Sequence, residues 1–204
     1  RTDDKKSEHG AIYKEPGGRL NIALVYPNTY FVGMSNLGFQ QIYGLLNDIP
    51  QVYCERAFAL ETGSRKSSPR PVTTETKRLL SEFDIVAFTL SFENDYLNIF
   101  PLLKAAEIPI FSEDRGEDCP LIIAGGVAPT LNPAPVAEIF DAIAIGDGEA
   151  IVSDIGTRWR ELLRSQAGRK ERLQTLAEIP GFYVPEIKQR LPIKKRVTVG
   201  EAFI

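Results

Sequence analysis

The chain has 204 residues, a formal net charge of −3 at pH 7, 43% hydrophobic residues and 25% charged residues. This length permits one domain of about 150 residues with an appendage, which folds without disulfides or metals. The net negative charge argues against nucleic acid or an anionic membrane as the main partner. No apolar run approaches the ~20 residues of a membrane span and no signal peptide opens the chain, so we expect a cytoplasmic protein with no membrane partner.

The cysteine and histidine content gives no sign of a metal site. Cys54 and Cys119 lie far apart in the sequence, and there is no Cys-x-x-Cys pair, so no metal ligand set is predicted. The one histidine, His9, lies in a polar segment, residues 1–18, that we predict to be a solvated tail with a short strand at Ala11–Tyr13. The chain begins with Arg1 and not with Met, so we expect a fragment of a longer protein.

The first part of the chain predicts strands that alternate with a helix. Leu20–Tyr26 is almost wholly apolar, which is typical of a strand buried on both faces. Ser35 or Asn36 is placed to cap a helix that runs to about Asp48, with apolar residues at helical spacing. A second strand is predicted over Val52–Ala57.

The middle of the chain continues this alternation. A helix is predicted over Thr73–Phe83, with a threonine as its N-cap, and a third buried strand over Ile85–Leu90. A helix over Tyr96–Ala106 follows, in which Pro101 either introduces a kink or marks the true first turn. The acidic segment Ser112–Asp118 does not have the spacing of a calcium loop and is predicted to be a solvated turn.

Two short strands near the centre of the chain each run directly into glycines. Leu121–Ala124 is followed by Gly125 and Gly126, and Ala142–Ile145 is followed by Gly146-Asp147-Gly148. A helix over Ala150–Ser165 comes next. Repetition of strand, glycine turn and helix is typical of a parallel α/β sheet.

The alternation predicts an α/β fold with a doubly wound five-stranded parallel sheet, Rossmann-like or flavodoxin-like, in the order 2-1-3-4-5. The domain is predicted over residues 19–168. Residues 169–204 change character and are predicted to be a linker or extension on its flank. This extension contains a short helix at Lys170–Glu178 and two extended segments, at Phe182–Pro185 and Ile193–Val199.

The candidate binding site lies where the turns after the strands converge, at the switch point between the first and third strands. Backbone N–H groups at helix starts favour a negative or polar part of a small-molecule ligand, and hydroxyl and carboxylate groups provide hydrogen bonds. The candidate cofactor-binding residues are Asn28, Thr29, Tyr30, Gly33, Thr89, Ser91, Glu93, Gly125, Gly126, Gly146, Asp147, Gly148 and Glu149.

A catalytic set is not recognisable in the sequence. Nucleophilic catalysis usually needs a base beside Ser or Cys, and the histidine is in the tail. The Gly-x-x-x-x-Gly-Lys-Ser/Thr loop and the Gly-x-Gly-x-x-Gly fingerprint after the first strand are both absent. The sequence therefore predicts a binding module, with no catalytic residues of its own.

Six segments, in order and at fixed spacing, carry a resemblance to a known family. They are Tyr26–Gly38 (YPNTYFVGMSNLG), Glu55–Ala59 (ERAFA), Phe83–Glu93 (FDIVAFTLSFE), Ala124–Gly126 (AGG), Asn132–Pro135 (NPAP) and Ile145–Glu149 (IGDGE). The chain resembles the N-terminal cobalamin-binding-like domain of radical SAM proteins. More narrowly, it resembles a bacterial subgroup in which this domain precedes the radical SAM barrel, some members of which are named like magnesium-protoporphyrin ester cyclase.

The resemblance implies that the radical chemistry lies in a part of the parent protein that follows Ile204. The family's barrel holds a 4Fe-4S cluster through Cys-x-x-x-Cys-x-x-Cys, which this sequence lacks, and it cleaves S-adenosylmethionine reductively. The implied partner is that barrel in the same parent chain, and the implied small-molecule cofactor is cobalamin. Its nucleotide tail is expected near Thr89, Ser91, Gly125, Gly126 and Gly146–Glu149.

One departure from related cobalamin domains concerns the cobalt ligand. Domains of the methionine-synthase type carry Asp-x-His-x-x-Gly after the first strand, and their His binds cobalt. This chain keeps Gly33 but has Asn28 in place of the Asp and Tyr30 in place of the His. Since a neutral phenol is a poor cobalt ligand, the resemblance implies cobalamin without a protein histidine on the cobalt.

Three hypotheses follow, each with its own structural signature. A deep slot between the turns at Asn28–Gly33 and Thr89–Glu93 would favour a cobalamin-binding domain. A slot filled by Tyr30 or Phe92 would favour a cofactor-free scaffold or interaction domain of the same enzyme. A phosphate-sized nest at Pro27–Tyr30 without a slot would favour a free-standing flavodoxin-like binder of a nucleotide or flavin.

Overall fold

The sheet is built around its most buried strand. The computed structural model describes residues 10–59, 70–189 and 193–198. In it β1 (Leu20–Tyr26) is buried along its whole length, as expected for a parallel strand covered by helices on both faces. β2 (Val52–Phe58) and β3 (Ile85–Thr89) pair with its two edges, both in parallel.

The sheet continues from β3 with β4 (Leu121–Gly125), β5 (Ala142–Ala144) and β6 (Phe182–Tyr183). The first five strands run parallel in the order 2-1-3-4-5. This confirms the predicted order. β6 pairs with β5 in antiparallel orientation and is an addition that the predicted five-stranded sheet did not include.

The helices cover both faces of the sheet, as they must for a parallel sheet. They are α1 (Tyr30–Met34), α2 (Leu37–Asp48), α3 (Ile99–Ala105), α4 (Val127–Leu131), α5 (Gly148–Thr157), α6 (Trp159–Leu162) and α7 (Arg169–Glu178). Residues of α2, α5, α6 and α7 share one hydrophobic core with one face of the sheet, and α3 packs in the core of the other face. Among the described residues, no helix is long and apolar enough to cross a bilayer.

The predicted start of α2 is confirmed in detail. The Asn36 side chain accepts a hydrogen bond from the backbone N–H of Phe39 at 2.9 Å, which satisfies one of the unpaired N–H groups of a helix start. Asn36, and not Ser35, is therefore the N-cap.

The predicted helix over Thr73–Phe83 is wrong. Only a short 3-10 turn forms there, at Leu80–Glu82. The buried carboxylate of Glu55 on β2 accepts hydrogen bonds from the hydroxyls of Thr73 and Thr76, at 2.6 and 2.7 Å. These side-chain bonds stabilise a turn at residues 74–76, which an antiparallel bridge between Val72 and Leu79 closes, and they replace the backbone bonds of a helix.

Three other boundaries differ from the predictions. The segment before α3 is a 3-10 helix, Glu93–Asn98, and Pro101 lies in the first turn of α3, where its missing N–H costs nothing. The helix predicted over Ala150–Ser165 is divided into α5 and α6. Ala11–Tyr13 forms no strand.

The segment after residue 168 packs into the same core as the sheet. Leu173 and Leu176 of α7 are buried among the residues of the α2 and α5 face. The described part of the last extended segment, residues 193–198, forms an isolated parallel bridge between Arg196 and Gly146. Val199 and His9 lie outside the described residues.

Buried charges tie α7 and the preceding loops to the amino-terminal edge of the sheet. Asp141 accepts a hydrogen bond from Ile122 N at 2.6 Å and pairs with Arg115 at 3.1 Å and with Arg169 at 2.7 Å. Arg172 of α7 donates to the backbone carbonyl of Asp84 at 2.6 Å. Burial lowers the pKa of Arg172 to about 10. Burying these charged groups is costly in free energy unless each of them is paired and hydrogen-bonded.

Replacing Asp141 by Asn is expected to lower the free energy of unfolding by about 3 to 5 kcal/mol, because two buried arginines lose their carboxylate. Chemical denaturation of the chain measures this change. The matched control is Glu107→Gln, which removes a carboxylate from the exposed pair with Arg70 and should cost less than about 1 kcal/mol. Equal losses in the two variants would contradict the assignment of Asp141 as a buried anchor.

Candidate functional site

A cavity of about 300 Å³ lies between the sheet and the layer formed by α2 and α5, and it reaches the carboxyl edge of the strands. Its floor is one face of β1, β3, β4 and β5. Its walls are side chains of α2 and α5. The apolar residues that line it include Ile22, Leu24, Ile42, Leu46, Ile85, Ala87, Ile123, Ala144, Ile151, Val152, Ile155 and Phe182.

The cavity exists because three neighbouring positions of its floor carry little or no side chain. Ala87 of β3, Gly125 of β4 and Ala144 of β5 all line it. A Cβ atom built on Gly125 would meet only the Cβ of Ala144, at 3.7 Å, which is an ordinary van der Waals contact. Larger residues at these positions would occupy the space beneath the helices.

The two helices above the cavity contact each other through glycines. A Cβ on Gly148, at the start of α5, would collide with the side chain of Ile42 on α2. A Cβ on Gly156, two turns later, would lie 2.6 Å from the Cδ1 atom of Ile49. The close contacts between the two helices therefore fix their positions above the small residues of the floor. They leave a gap between the helices and the sheet.

Polar side chains lie at the outer part of the cavity. Those that line it are Asn36, Gln41, Thr89, Ser91 and Glu149. Asn36 Nδ2 donates a hydrogen bond to Ser91 Oγ at 3.1 Å, which joins the start of α2 to the loop after β3. The carboxyl edge thus combines hydroxyl, amide and carboxylate groups around an apolar interior.

The structure brings together about half of the residues that the sequence predicted for this site. The ones that line the cavity are Thr89, Ser91, Gly125, Gly126, Gly146, Gly148 and Glu149. They come from the turns after β3, β4 and β5. The predicted residues of the turn after β1 are not among them.

The turn after β1 uses its residues for internal contacts. Asn28 Oδ1 accepts from Thr29 N at 2.8 Å, and Asn28 Nδ2 lies 3.4 Å from Asp95 Oδ1. The Tyr30 ring packs edge-on against Phe58, with the ring centroids 5.1 Å apart. A Cβ on Gly33 would collide with Phe58, so this glycine is needed for packing.

Glu93 and Asp147 are the other two predicted residues that do not line the cavity. Glu93 is exposed at the start of a 3-10 helix. Asp147 accepts a hydrogen bond from Thr198 N at 3.0 Å, and its own N–H donates to the carbonyl of Arg196. It therefore anchors the segment 193–198 beside the cavity.

None of the apolar residues that line the cavity was predicted as part of the site. Ile42 and Leu46, and likewise Ile151 and Ile155, are spaced by four and share one face of their helix. This spacing is the same for side chains that line a cavity and for side chains that fill a core. The feature that distinguishes a cavity from a core is the group of small residues on the opposite strands, Ala87, Gly125 and Ala144.

Exposed apolar side chains follow the strands at the carboxyl edge, to which the cavity opens. We call this set the apolar rim, and its members are Phe31, Leu37, Phe92, Leu97, Val127 and Leu131, which are 62 to 80% exposed. All of them follow the carboxyl ends of β1, β3 and β4. Large exposed apolar side chains at one edge of a fold are typical of sites that bind a partner or ligand.

Two glycines at this edge have backbone conformations that L side chains rarely adopt. Gly126 has φ +111°, and a Cβ there would lie 3.0 Å from the backbone carbon of Leu90. Gly146 has φ +134°, and a Cβ there would lie 2.6 Å from the backbone nitrogen of Arg196. Both glycines are required by a close approach of another backbone segment.

The structure offers no metal site of the usual kind in the described ranges: no group of three or more His, Cys, Asp or Glu side chains is placed to hold an ion there. The two cysteines are not in a disulfide. Cys54 is buried on β2, and burial raises the pKa of its thiol.

Comparisons with known proteins identify the type of domain. The family described as "Radical SAM proteins, N-terminal" matches residues 38–185, which is well over half of the chain. An uncharacterized protein of Methanocaldococcus jannaschii, MJ0966, is 26% identical over 129 residues, which are 63% of this chain and 24% of that protein. The chain thus spans about a quarter of the length of this curated relative. No solved structure matches the chain.

The same substitution at two neighbouring glycines of the cavity should change the free energy of unfolding by different amounts. Gly126→Ala is expected to lower the free energy of unfolding by about 2 kcal/mol or more, because it combines positive φ with a collision against Leu90. Gly125→Ala should change it by less than about 1 kcal/mol, because space is available and alanine is less costly in a strand. Thermal denaturation of the two variants measures both values, and a tolerated Gly126→Ala would contradict this account.

Proposed function

The chain belongs to the family of N-terminal domains of radical SAM proteins, and we propose that it binds a corrinoid of the cobalamin type as the accessory domain of such an enzyme. The observation that carries the proposal is the apolar cavity of about 300 Å³ under α2 and α5 at the carboxyl edge of the sheet. Parallel α/β sheets bind their ligands at this edge. Ligand pockets of this size and character are mostly apolar, with a few polar groups that fix orientation.

The residues present fit the nucleotide tail of cobalamin. Ala87 and Gly125 leave room on the floor for a flat ring, and Ile42 and Val152 provide apolar contacts from the helices. Thr89 and Ser91 stand at the outer part of the cavity, where they would hydrogen-bond the sugar and phosphate of the tail. When bound, cobalamin supplies cobalt-centred redox and group-transfer chemistry, and this chain's residues hold and shield its tail.

We propose that no histidine of this chain binds the cobalt. None of the described residues that line the cavity is a histidine, and Tyr30 stands where related domains have their ligand. The Tyr30 ring is engaged by Phe31 and Phe58, with centroids 5.8 and 5.1 Å away. Rotating it toward a ligand would cost these aromatic contacts.

The competing hypotheses have less support. The cavity lies under α2 and α5 and not between the turns at Asn28–Gly33 and Thr89–Glu93, but it is open, and neither Tyr30 nor Phe92 fills it as a cofactor-free scaffold would require. A phosphate nest at Pro27–Tyr30 would need free backbone N–H groups. The N–H groups of Asn28 and Thr29 instead donate to Tyr26 O and Asn28 Oδ1, both at 2.8 Å.

We propose the radical SAM barrel of the same parent protein as the partner of the apolar rim. The rim residues follow the carboxyl ends of β1, β3 and β4, the edge to which the cavity opens, and large exposed apolar surfaces usually become buried in an interface. The match to MJ0966 leaves about three quarters of that protein outside the aligned region. A barrel placed over the rim would bring its 4Fe-4S cluster and S-adenosylmethionine near the ligand at the mouth.

Anaerobic titration of the chain with hydroxocobalamin tests the proposal, read by visible spectroscopy and calorimetry. We expect binding of one equivalent and a spectrum without a nitrogen ligand from the protein. A spectrum of histidine ligation would show that the account of Tyr30 is wrong. If neither this chain nor the full-length protein binds, the corrinoid proposal is wrong and the scaffold hypothesis is favoured.

Filling the cavity should abolish this binding. Ala87→Leu places a larger side chain on the floor between Leu24 and Ile123, and we expect the affinity for hydroxocobalamin to fall by at least about a hundredfold, or ~3 kcal/mol. The matched control is Ala105→Leu, the same substitution on α3 at the opposite face of the sheet. Calorimetry on both variants, with circular dichroism to confirm folding, gives the comparison. Unchanged binding by a folded Ala87→Leu variant would place the ligand elsewhere.

A further inference from the structure

The inner part of the cavity is lined by apolar side chains. Successive side chains of the floor form rows that run inward from the carboxyl edge, because alternate residues of a strand face the same side. Thr89 and Gly125 form the outer row, Ala87 the next with Ile123 beside it, and Ile85 pairs with Ile22 in the innermost row. From Thr89 to Ile85 the distance is about 13 Å at 3.3 Å per residue.

The walls of this inner part are equally apolar. Leu46 of α2 and Ile155 of α5 line it, and Phe182 of β6 contributes a ring. The backbone N–H and C=O groups of the floor strands are used in the ladders that join β1, β3 and β4. Among the described residues, a ligand that enters this deeply therefore meets van der Waals contacts and no hydrogen-bonding side chain.

The polar lining residues all lie toward the outer end. Thr89 and Ser91 follow the end of β3, and Glu149 lies in the first turn of α5. Asn36 and Gln41 belong to the start of α2 and its second turn. The cavity thus separates a polar mouth from an apolar interior.

We infer that the cavity selects corrinoids by their nucleotide base and favours an apolar benzimidazole over a purine. This inference rests on the proposed corrinoid function. A glycosylated dimethylbenzimidazole carries one unsubstituted ring nitrogen and two methyl groups, which suit the apolar lining. An adenine in the same place carries three unsubstituted ring nitrogens and an amino group. These groups would lose their hydrogen bonds to water without replacement, which weakens binding.

Calorimetric titration with three ligands tests the inference: cobalamin, its analogue with an adenine base, and cobinamide, which lacks the base. We expect cobalamin to bind at least about tenfold more tightly than the adenine analogue, and cobinamide to bind more weakly than cobalamin. Equal affinities for cobalamin and the adenine analogue would overturn base selection and leave the corrinoid function standing. Equal affinities for cobalamin and cobinamide would show that the base does not enter the cavity. Failure of all three ligands to bind would instead overturn the proposed function.

A polar substitution on the floor of the cavity should reduce the preference for cobalamin over the adenine analogue. Ala87→Ser adds one hydroxyl in the middle of the apolar interior with little change in volume, and gives the adenine a hydrogen-bonding partner. We expect the ratio of the two affinities to fall severalfold, while the variant still binds cobalamin and so reports that it is folded. Ala105→Ser, on the opposite face of the sheet, is the matched control and should keep the ratio of the unaltered chain. An unchanged ratio in Ala87→Ser would contradict the inference.

Discussion

The contact between α2 and α5 is the constraint on which the candidate site depends. Both helices cover the same face of the sheet, and they touch each other where Gly148 meets Ile42 and Gly156 meets Ile49. Because glycine allows this approach, the helices are supported by each other as well as by the strands beneath them. The small residues at Ala87 and Gly125 then leave a space that close packing would otherwise remove. The cavity therefore forms because small residues occupy key positions both on the helices and on the sheet.

The sequence predicts an element correctly where its local residue pattern matches its burial in the folded protein. β1, β2 and β3 are mainly apolar, although β2 also contains Glu55 and Arg56, and their predicted and observed bounds differ by one residue at most. The segment Thr73–Phe83 shows where such signals fail. A helix is predicted there, but the buried carboxylate of Glu55 on β2, which is distant in sequence, accepts hydrogen bonds from its threonine hydroxyls and stabilises a turn instead. A local pattern cannot reveal a partner that only the tertiary structure supplies.

The same limit explains the candidate site. Residues in the turns after β3, β4 and β5 were predictable as cavity neighbours because parallel strands end at one edge. The turn after β1 ends at the same edge, but Asn28 bonds to Thr29 and Asp95, and Gly33 is needed beside Phe58. The apolar walls were not predictable as a site, since Ile42 and Ile151 have the spacing of ordinary core residues. Only the missing volume opposite them distinguishes a cavity from a core.

Gly146 contributes both to the wall of the cavity and to the attachment of segment 193–198. It lines the cavity, and its positive φ allows the backbone of Arg196 to approach closely. Ile145 O and Asp147 N, on either side of it, bond to the N–H and carbonyl of Arg196. Segment 193–198 is thus hydrogen-bonded to the turn that borders the cavity. A side chain at position 146 would disturb the wall of the cavity and the attachment of this segment at once, because both depend on the same backbone conformation.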